Sequence, residues 1–263
     1  MIHLIIATFT EANYFIKSLQ LKKVHSISEF NVYYNNKFTL TISGIGKVNS
    51  AVAVAQTYQE FGKNRNNNWL NVGIAGHNNS KLGEIYIINK ISEDKGDKCF
   101  FPYSPCIPNV KNNSCITYEN MNNKYNDSLS DMELSGFFEA ANKYSYKELI
   151  HSIKIISDNK YDSIDFRDKQ TVEKLFSDKS NVFEKFFKII ESLLKDTVNN
   201  TTMIDQKVEG LIRNVKFSKS ENEQVKRLLK LIFLKKKQID YDIFNQTNNK
   251  KKIINQLRIL LKL

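Results

Sequence analysis

The sequence predicts an α/β fold: a twisted mixed central sheet flanked by helices, followed by a helical C-terminal extension. Three observations predict it. First, strand-like apolar runs alternate with segments of helical period over residues 1–198, the pattern of a sheet covered by helices. Second, two glycine turns break those runs, Ser43-Gly44-Ile45-Gly46-Lys47-Val48-Asn49 and Asn71-Val72-Gly73-Ile74-Ala75-Gly76, and two carboxylate patches follow, Asp131-Met132-Glu133 and Ile156-Ser157-Asp158. Third, the apolar spacing beyond residue 198 is helical throughout. The chain is therefore read as an α/β domain over 1–198 and a basic helical extension over 199–263.

The elements follow in order. Residues 1–8 read as a buried strand. Thr10 to Leu21 reads as a helix, because Ala12, Phe15, Ile16 and Leu19 share one face. Residues 30–43 read as two short strands turning at Asn35-Asn36. After the turn at 44–46, Val48, Ala51, Val52, Ala55 and Tyr58 mark a second helix. Residues 69–74 and 82–91 read as strands. Residues 99–118 hold all three prolines, so they read as a loop with a short strand at 115–118. A helix over 131–145 and a strand over 150–157 complete the core. Val182, Phe183, Phe186, Phe187, Ile190, Leu193 and Leu194 form a wide apolar stripe on a helix that Asn199-Asn200 ends. Helices over about 219–237 and 249–262 carry Val225, Leu228, Leu229 and Ile232, then Ile253, Leu257, Leu260 and Leu261.

Composition narrows the function. At 263 residues and 41% hydrophobic content the chain can bury a substantial core. No apolar run approaches the ~20 residues that span a bilayer, and Met1 to Ala7 lacks the basic start of a signal peptide. Cys99, Cys106 and Cys115 are odd in number and unevenly spaced, which favours reduced thiols and a cytoplasmic setting. His3, His25 and His151 lie far from any second metal-ligand candidate. No metal and no cofactor are expected. Of the net charge of +11, the last 51 residues carry 14 basic and 4 acidic side chains. Clusters such as Lys235-Lys236-Lys237 and Lys250-Lys251-Lys252 suit a polyanion or a protein partner. They equally suit a solvated helical surface.

Each motif has a plain structural use and a chemical one. Gly44 and Gly46 lie between a strand and a helix, where they make a tight turn or bring backbone close to a ligand. Gly76 ends an apolar strand and leaves a wall bare of side chains. Asp131 and Glu133 at a helix start favour the macrodipole, yet Glu133 precedes a buried Phe and Ala run and needs a partner that ligand hydroxyls can supply. Asp158 ends a strand, either as a cap or as a carboxylate at the mouth of the sheet. Glu11 sits just past the first strand and can cap the next helix.

Taken together and in this order, these motifs resemble the nucleoside phosphorylase/nucleosidase superfamily over residues 1–198. They are closest to its hydrolytic branch of methylthioadenosine/S-adenosylhomocysteine nucleosidases and futalosine hydrolases. The resemblance implies that Asp158 protonates the purine N7, that Glu133 binds ribose hydroxyls over Met132, and that Glu11 orients and deprotonates water. It implies substrate contacts from Gly44, Gly46, Ile74, Ala75, Gly76, Tyr118 and Ser157. Phe100, Phe101, Tyr103 and Tyr118 are candidates for stacking on the base. The activity implied is hydrolysis of an N-glycosidic bond in a purine nucleoside or nucleoside-like metabolite by a homodimer. Phosphorolysis of the same bond is the first alternative, but Arg65 is the one arginine before residue 164. The second is a non-catalytic nucleoside- or nucleic-acid-binding accessory protein.

Overall fold

A computed structural model describes the chain apart from residues 25–28, 63, 122–124, 214, 236–237, 240–243, 245–248 and 263, and the side chains of 196–202. His25, Lys236 and Lys237, named above, lie outside the described residues. The chain divides into two compact units, Met1–Leu194 and Lys195–Leu263. The division falls at residue 194, where the sequence pattern placed it at 198.

The first unit is built on one ten-stranded mixed sheet. Its elements are β1 (Ile2–Ile6), α1 (Phe9–Ser18), β2 (Lys22–Lys23), β3 (Asn31–Tyr34), β4 (Phe38–Ile42), α2 (Lys47–Phe61), β5 (Asn68–Gly76), β6 (Ile85–Glu93), β7 (Cys99–Phe100), β8 (Lys111–Thr117), β9 (Leu129–Asp131), α3 (Leu134–Tyr144), β10 (Ile150–Asp158), α4 (Lys169–Ser177) and the start of α5 (Ser180–Ile212). The strand order is β10-β6-β8-β9-β5-β1-β4-β3-β2, with β7 on β6 and β10 also paired to β5. The strands β10, β6, β8, β9 and β5 thus close a ring, joined at Gly76 opposite Ser130. β1 runs parallel to β4 and β5, and β5 parallel to β10. Such central parallel strands are covered on both faces, which is why β1 is buried from end to end.

Side-chain alternation divides the core between the two faces. Ile2, Leu4 and Ile6 pack with Phe15 of α1, Phe176 of α4 and Phe183 and Phe186 of α5. Ile5 and Trp69 pack on the other side with Ala53 and Val54 of α2 and Phe137 and Phe138 of α3. α2 and α3 meet backbone to backbone. A Cβ on Gly136 would lie 2.0 Å from the Lys47 carbonyl oxygen, so only glycine fits there.

Several elements differ from the sequence reading, among them the short strands β2 and β7, which it does not mark. Asp131 lies in β9, and α3 begins only at Leu134. β8 begins at Lys111, four residues early, because parallel pairing with β6 orders its polar start. α4 is an addition to the sequence reading: Val172, Leu175 and Phe176 share one face, and Asp168 caps it, accepting from the amides of Gln170 and Thr171. α5 runs through Asn199-Asn200 to Ile212. Asparagine in a helix costs only about 0.7 kcal/mol, and Ile204, Val208 and Leu211 resume the helical spacing.

The second unit holds the end of α5, α6 (Lys219–Leu234) and α7 (Lys250–Leu261). Its own core is mostly aliphatic, with Val208, Val225, Leu229, Ile232, Ile253 and Leu257 buried beside Phe244. Ser218 and Glu221 form a capping box at the start of α6. Among the described residues no helix is long and apolar enough to cross a membrane.

Candidate active site

The ends of β1, β5, β9 and β10 converge on one cavity of about 410 Å³ in the first unit, within the roughly 300–1,000 Å³ of small-molecule sites. Glu11, Ile74, Ala75, Gly76, Tyr118, Met132, Glu133, Ser157 and Asp158, all singled out in the sequence, line it. Thr8, Ile45, Met121, Tyr125, Ser130, Asp131, Phe166 and Val172 also line it. Among the described residues, four of the lining side chains are carboxylates and none is a lysine or arginine.

Asp158 owes its aim to a bulge. β10 pairs with β5 in register up to Ile156 opposite Ala75, then slips so that Asp158 faces Gly76. Bulges of this kind redirect a side chain at a strand end. Ser157 Oγ donates to Asp158 Oδ1 at 2.6 Å. Gly76 has no Cβ to spare: one would lie 2.6 Å from Asp158 Oδ2 and 2.9 Å from Tyr125 Cε1.

Glu11 is both a cap and a wall residue. Its Oε2 accepts from the Thr8 amide at 3.0 Å and the Thr8 hydroxyl at 2.7 Å, closing the capping box of α1. Its Oε1 accepts from the Ile74 amide at 2.9 Å. Three donors leave roughly one of the carboxylate's four acceptor positions free for another hydrogen. The side chain reaches across β5 because Gly73 is bare there: a Cβ would lie 2.9 Å from Glu11 Oε1 and 3.4 Å from Lys154 Nζ.

Lys154 belongs to the buried polar network beside the cavity, and the sequence reading passes over it. It sits in mid-β10, opposite Gly73, 1% exposed. Its Nζ donates to Asp131 Oδ2 at 2.9 Å. Asp131 also accepts from the Leu134 amide at 2.9 Å and the Thr117 hydroxyl at 2.8 Å. Burial disfavours the lysine's charge, but Asp131 and Glu133 outweigh it and hold the ammonium above its ordinary pKa. Glu133 accepts from the Gly46 amide at 2.8 Å and stands at the N-cap position of α3 without a side-chain capping bond. Burial above all, then the Asp131 charge, raises the Glu133 carboxyl to about 7, against the pull of Lys154 and the Gly46 amide.

Some expected contacts fall elsewhere. Gly44 and Gly46 do not line the cavity; Ile45 between them does, and Gly46 is committed to Glu133. Both glycines have positive φ, 78° and 103°, so their role is the turn itself. Of the aromatic candidates for a base, only Tyr118 lines the cavity. Phe100 packs on Phe138, Tyr103 on His151, and Phe101 is exposed. Arg65 stacks over Tyr146 and is not a lining residue.

No protein-family model matches the chain, and no curated protein matches it in sequence. Solved structures do. The chain has the α/β fold of the methylthioadenosine/S-adenosylhomocysteine nucleosidases. The 5′-methylthioadenosine nucleosidase of Arabidopsis thaliana superposes with a TM-score of 0.60 at 14% identity, over 72% of this chain and 95% of that one. The Campylobacter jejuni nucleosidase gives 0.55 at 16% identity, over 74% and 98%. The S. pneumoniae enzyme, solved with the transition-state inhibitor MT-ImmA, gives 0.50 at 20% identity, over 60% and 86%.

Proposed function

We propose that this protein hydrolyses the N-glycosidic bond of a purine nucleoside or nucleoside-like metabolite and releases the base. One observation carries the reading: a cavity of nucleoside size walled, among the described residues, by four carboxylates and no cation. Cleavage of the C1′–N9 bond passes through an oxocarbenium-like state, which needs an acid on the leaving base and a base on the attacking water. Asp158 supplies the proton to N7, so the base leaves neutral. Glu11 takes a proton from water as its oxygen bonds to C1′. Glu133 accepts from ribose hydroxyls over Met132, near Ile74, Ala75, Gly76, Tyr118 and Ser157. A second carboxylate in a different environment from the first divides the acid and base tasks near neutral pH. The fold's neighbours are named for methylthioadenosine and S-adenosylhomocysteine, which makes adenosine-type substrates the first to try. Phosphorolysis would place a phosphate against these carboxylates, with no lining cation among the described residues to hold it.

The test is a panel of purine nucleosides, methylthioadenosine included, with and without phosphate. Free base and free pentose in phosphate-free buffer support the reading. Turnover that requires phosphate and yields a pentose 1-phosphate overturns it.

A homodimer in the cytoplasm completes the proposal. Ile45 at the cavity rim and Val48 and Val52 on α2 form an exposed apolar stripe continuous with the site, a face that suits a second copy. Sedimentation of the wild type against Val48→Glu tests it: a monomeric wild type contradicts the dimer.

A second reading concerns the second unit. Its acids Asp205, Glu209 and Glu221 each pair with a lysine, while Lys251, Lys252, Arg258 and Lys262 stand exposed along α7. We infer that this stripe binds the phosphates of duplex nucleic acid without reading bases. Affinity should fall with salt at a log–log slope near −0.9 per phosphate neutralised. A gel-shift titration of the full chain and of a Lys251→Glu/Lys252→Glu/Arg258→Glu variant tests it. Unchanged binding by the variant, or none at ~50 mM salt, leaves the lysines as solvated surface.

A further inference from the structure

We propose that Lys154 is a positioning residue for sugar recognition: its buried ammonium pins the turn that presents Met132 and Glu133 to the cavity. The inference rests on the N-glycosidic reading, in which Glu133 accepts from ribose hydroxyls. The turn is the step from β9 into α3, and both residues between Asp131 and Leu134 line the cavity. The Asp131 side chain closes it. Its Oδ2 accepts from the Leu134 amide at 2.9 Å, on the far side of the lining residues, and from Lys154 Nζ at 2.9 Å. Its Oδ1 accepts from the Thr117 hydroxyl at 2.8 Å, and Thr117 Oγ1 accepts in turn from the Ser135 amide at 3.0 Å.

A turn does not need this much. Asp and Asn close such turns with their own side chains, without a cation. Here the lysine and aspartate side chains are 2% and 1% exposed. Taking both charges out of water is costly, and apolar residues of the same volume often serve stability as well as a buried ion pair does. What the pair adds is a fixed position. It ties the turn to the middle of β10, the strand that ends in Asp158. One strand thereby sets the place of the group assigned to the base and of the turn assigned to the sugar. Gly73, opposite Lys154 in β5, leaves the room, since a Cβ there would lie 3.4 Å from Nζ.

The test compares methylthioadenosine with its 2′-deoxy analogue on the full chain. The ratio of the two kcat/KM values reads how well the turn meets the ribose hydroxyl. Lys154→Met should cut that ratio about tenfold, the scale of one hydrogen bond to a charged group. Adenine, which has no sugar, should bind as before. Lys154→Met/Asp131→Asn removes both charges, so it should regain much of the stability that Lys154→Met loses, yet its ratio should stay low. A wild-type ratio in either folded variant makes the pair structural only and overturns the inference. So does a loss shared equally by both substrates and adenine. Hydrogen exchange on the wild type gives a reading independent of any variant. The Leu134 and Ser135 amides should exchange as slowly as those of β5, and faster exchange overturns the pin. A wild type that turns over no nucleoside overturns the hydrolase reading and the sugar role with it. Turnover of both substrates, with an unmoved ratio in the variants, overturns Lys154 alone.

Discussion

The two units handle charge in opposite ways. Among the described residues, every buried polar or charged side chain belongs to Met1–Leu194. The second unit buries only apolar side chains and keeps its ion pairs open to water, as with Lys230 and Asp205, 45% and 47% exposed. Burying charge is costly unless it is paired and hydrogen-bonded. The first unit nonetheless buries Glu11, Asp131, Glu133 and Lys154. Buried ionisable groups with perturbed pKa values of this kind cluster at functional sites. The second unit is a plain helical core whose charge acts through its surface.

That comparison breaks or sharpens under substitution. The largest effect should come from Lys154→Met. It leaves Asp131 and Glu133 buried without their cation, at a cost of ~3–5 kcal/mol. Denaturant titration reads it directly, and a loss under about 1 kcal/mol would mean the network is no more costly than a surface pair.

Acid should act next, and on the first unit. Burial lowers His3 to about 3 and His151 to about 4. The unfolded chain takes up these protons near 6.5, the folded chain only at the lower values. Stability from both is thus complete above about pH 6.5 and lost as pH falls toward 4. His3→Gln should flatten this acid limb in a pH series of melting curves.

Glu133 works in the other direction. Its folded pKa lies above its unfolded one, so its contribution is present below about 4.5 and lost as pH rises through about 7. Glu133→Gln should therefore gain on the wild type between pH 5 and 8 in denaturant midpoints, while slowing turnover. A constant difference across that range would place the pKa elsewhere. The smallest effect belongs to Lys226→Met in the second unit. Its partner Glu209 is 60% exposed, so the loss should stay below about 1 kcal/mol and shrink further with salt.

Much of the site was legible because its residues interrupt patterns. Gly44, Gly46, Gly73 and Gly76 break apolar runs, and Asp158 ends one; each interruption marks a strand end, and strand ends converge. Lys154 was not legible for the opposite reason. It lies inside Ile153-Lys154-Ile155, where alternation reads as strand and gives no sign that the lysine's face is buried against Asp131. Tyr125 stands in an Asn-rich stretch with no period, so only the tertiary fold brings it to Asp158. Asp131 was assigned to a helix start because two acids fit a macrodipole; the ladder with β8 places it in a strand instead. The length of α5 was misjudged at Asn199-Asn200, where local propensity is weaker than the packing of Val208 and Ile212.

The central claim is that the carboxylate-walled cavity activates water against a glycosidic bond. The most direct measurement is turnover of methylthioadenosine in ¹⁸O-labelled, phosphate-free water, by the wild type and by folded Asp158→Asn. The account predicts free adenine, one labelled oxygen on the C1 of the free pentose, and a rate ~10²–10⁴-fold lower in the variant. Unlabelled sugar, a requirement for phosphate, or an undiminished rate in Asp158→Asn would contradict it.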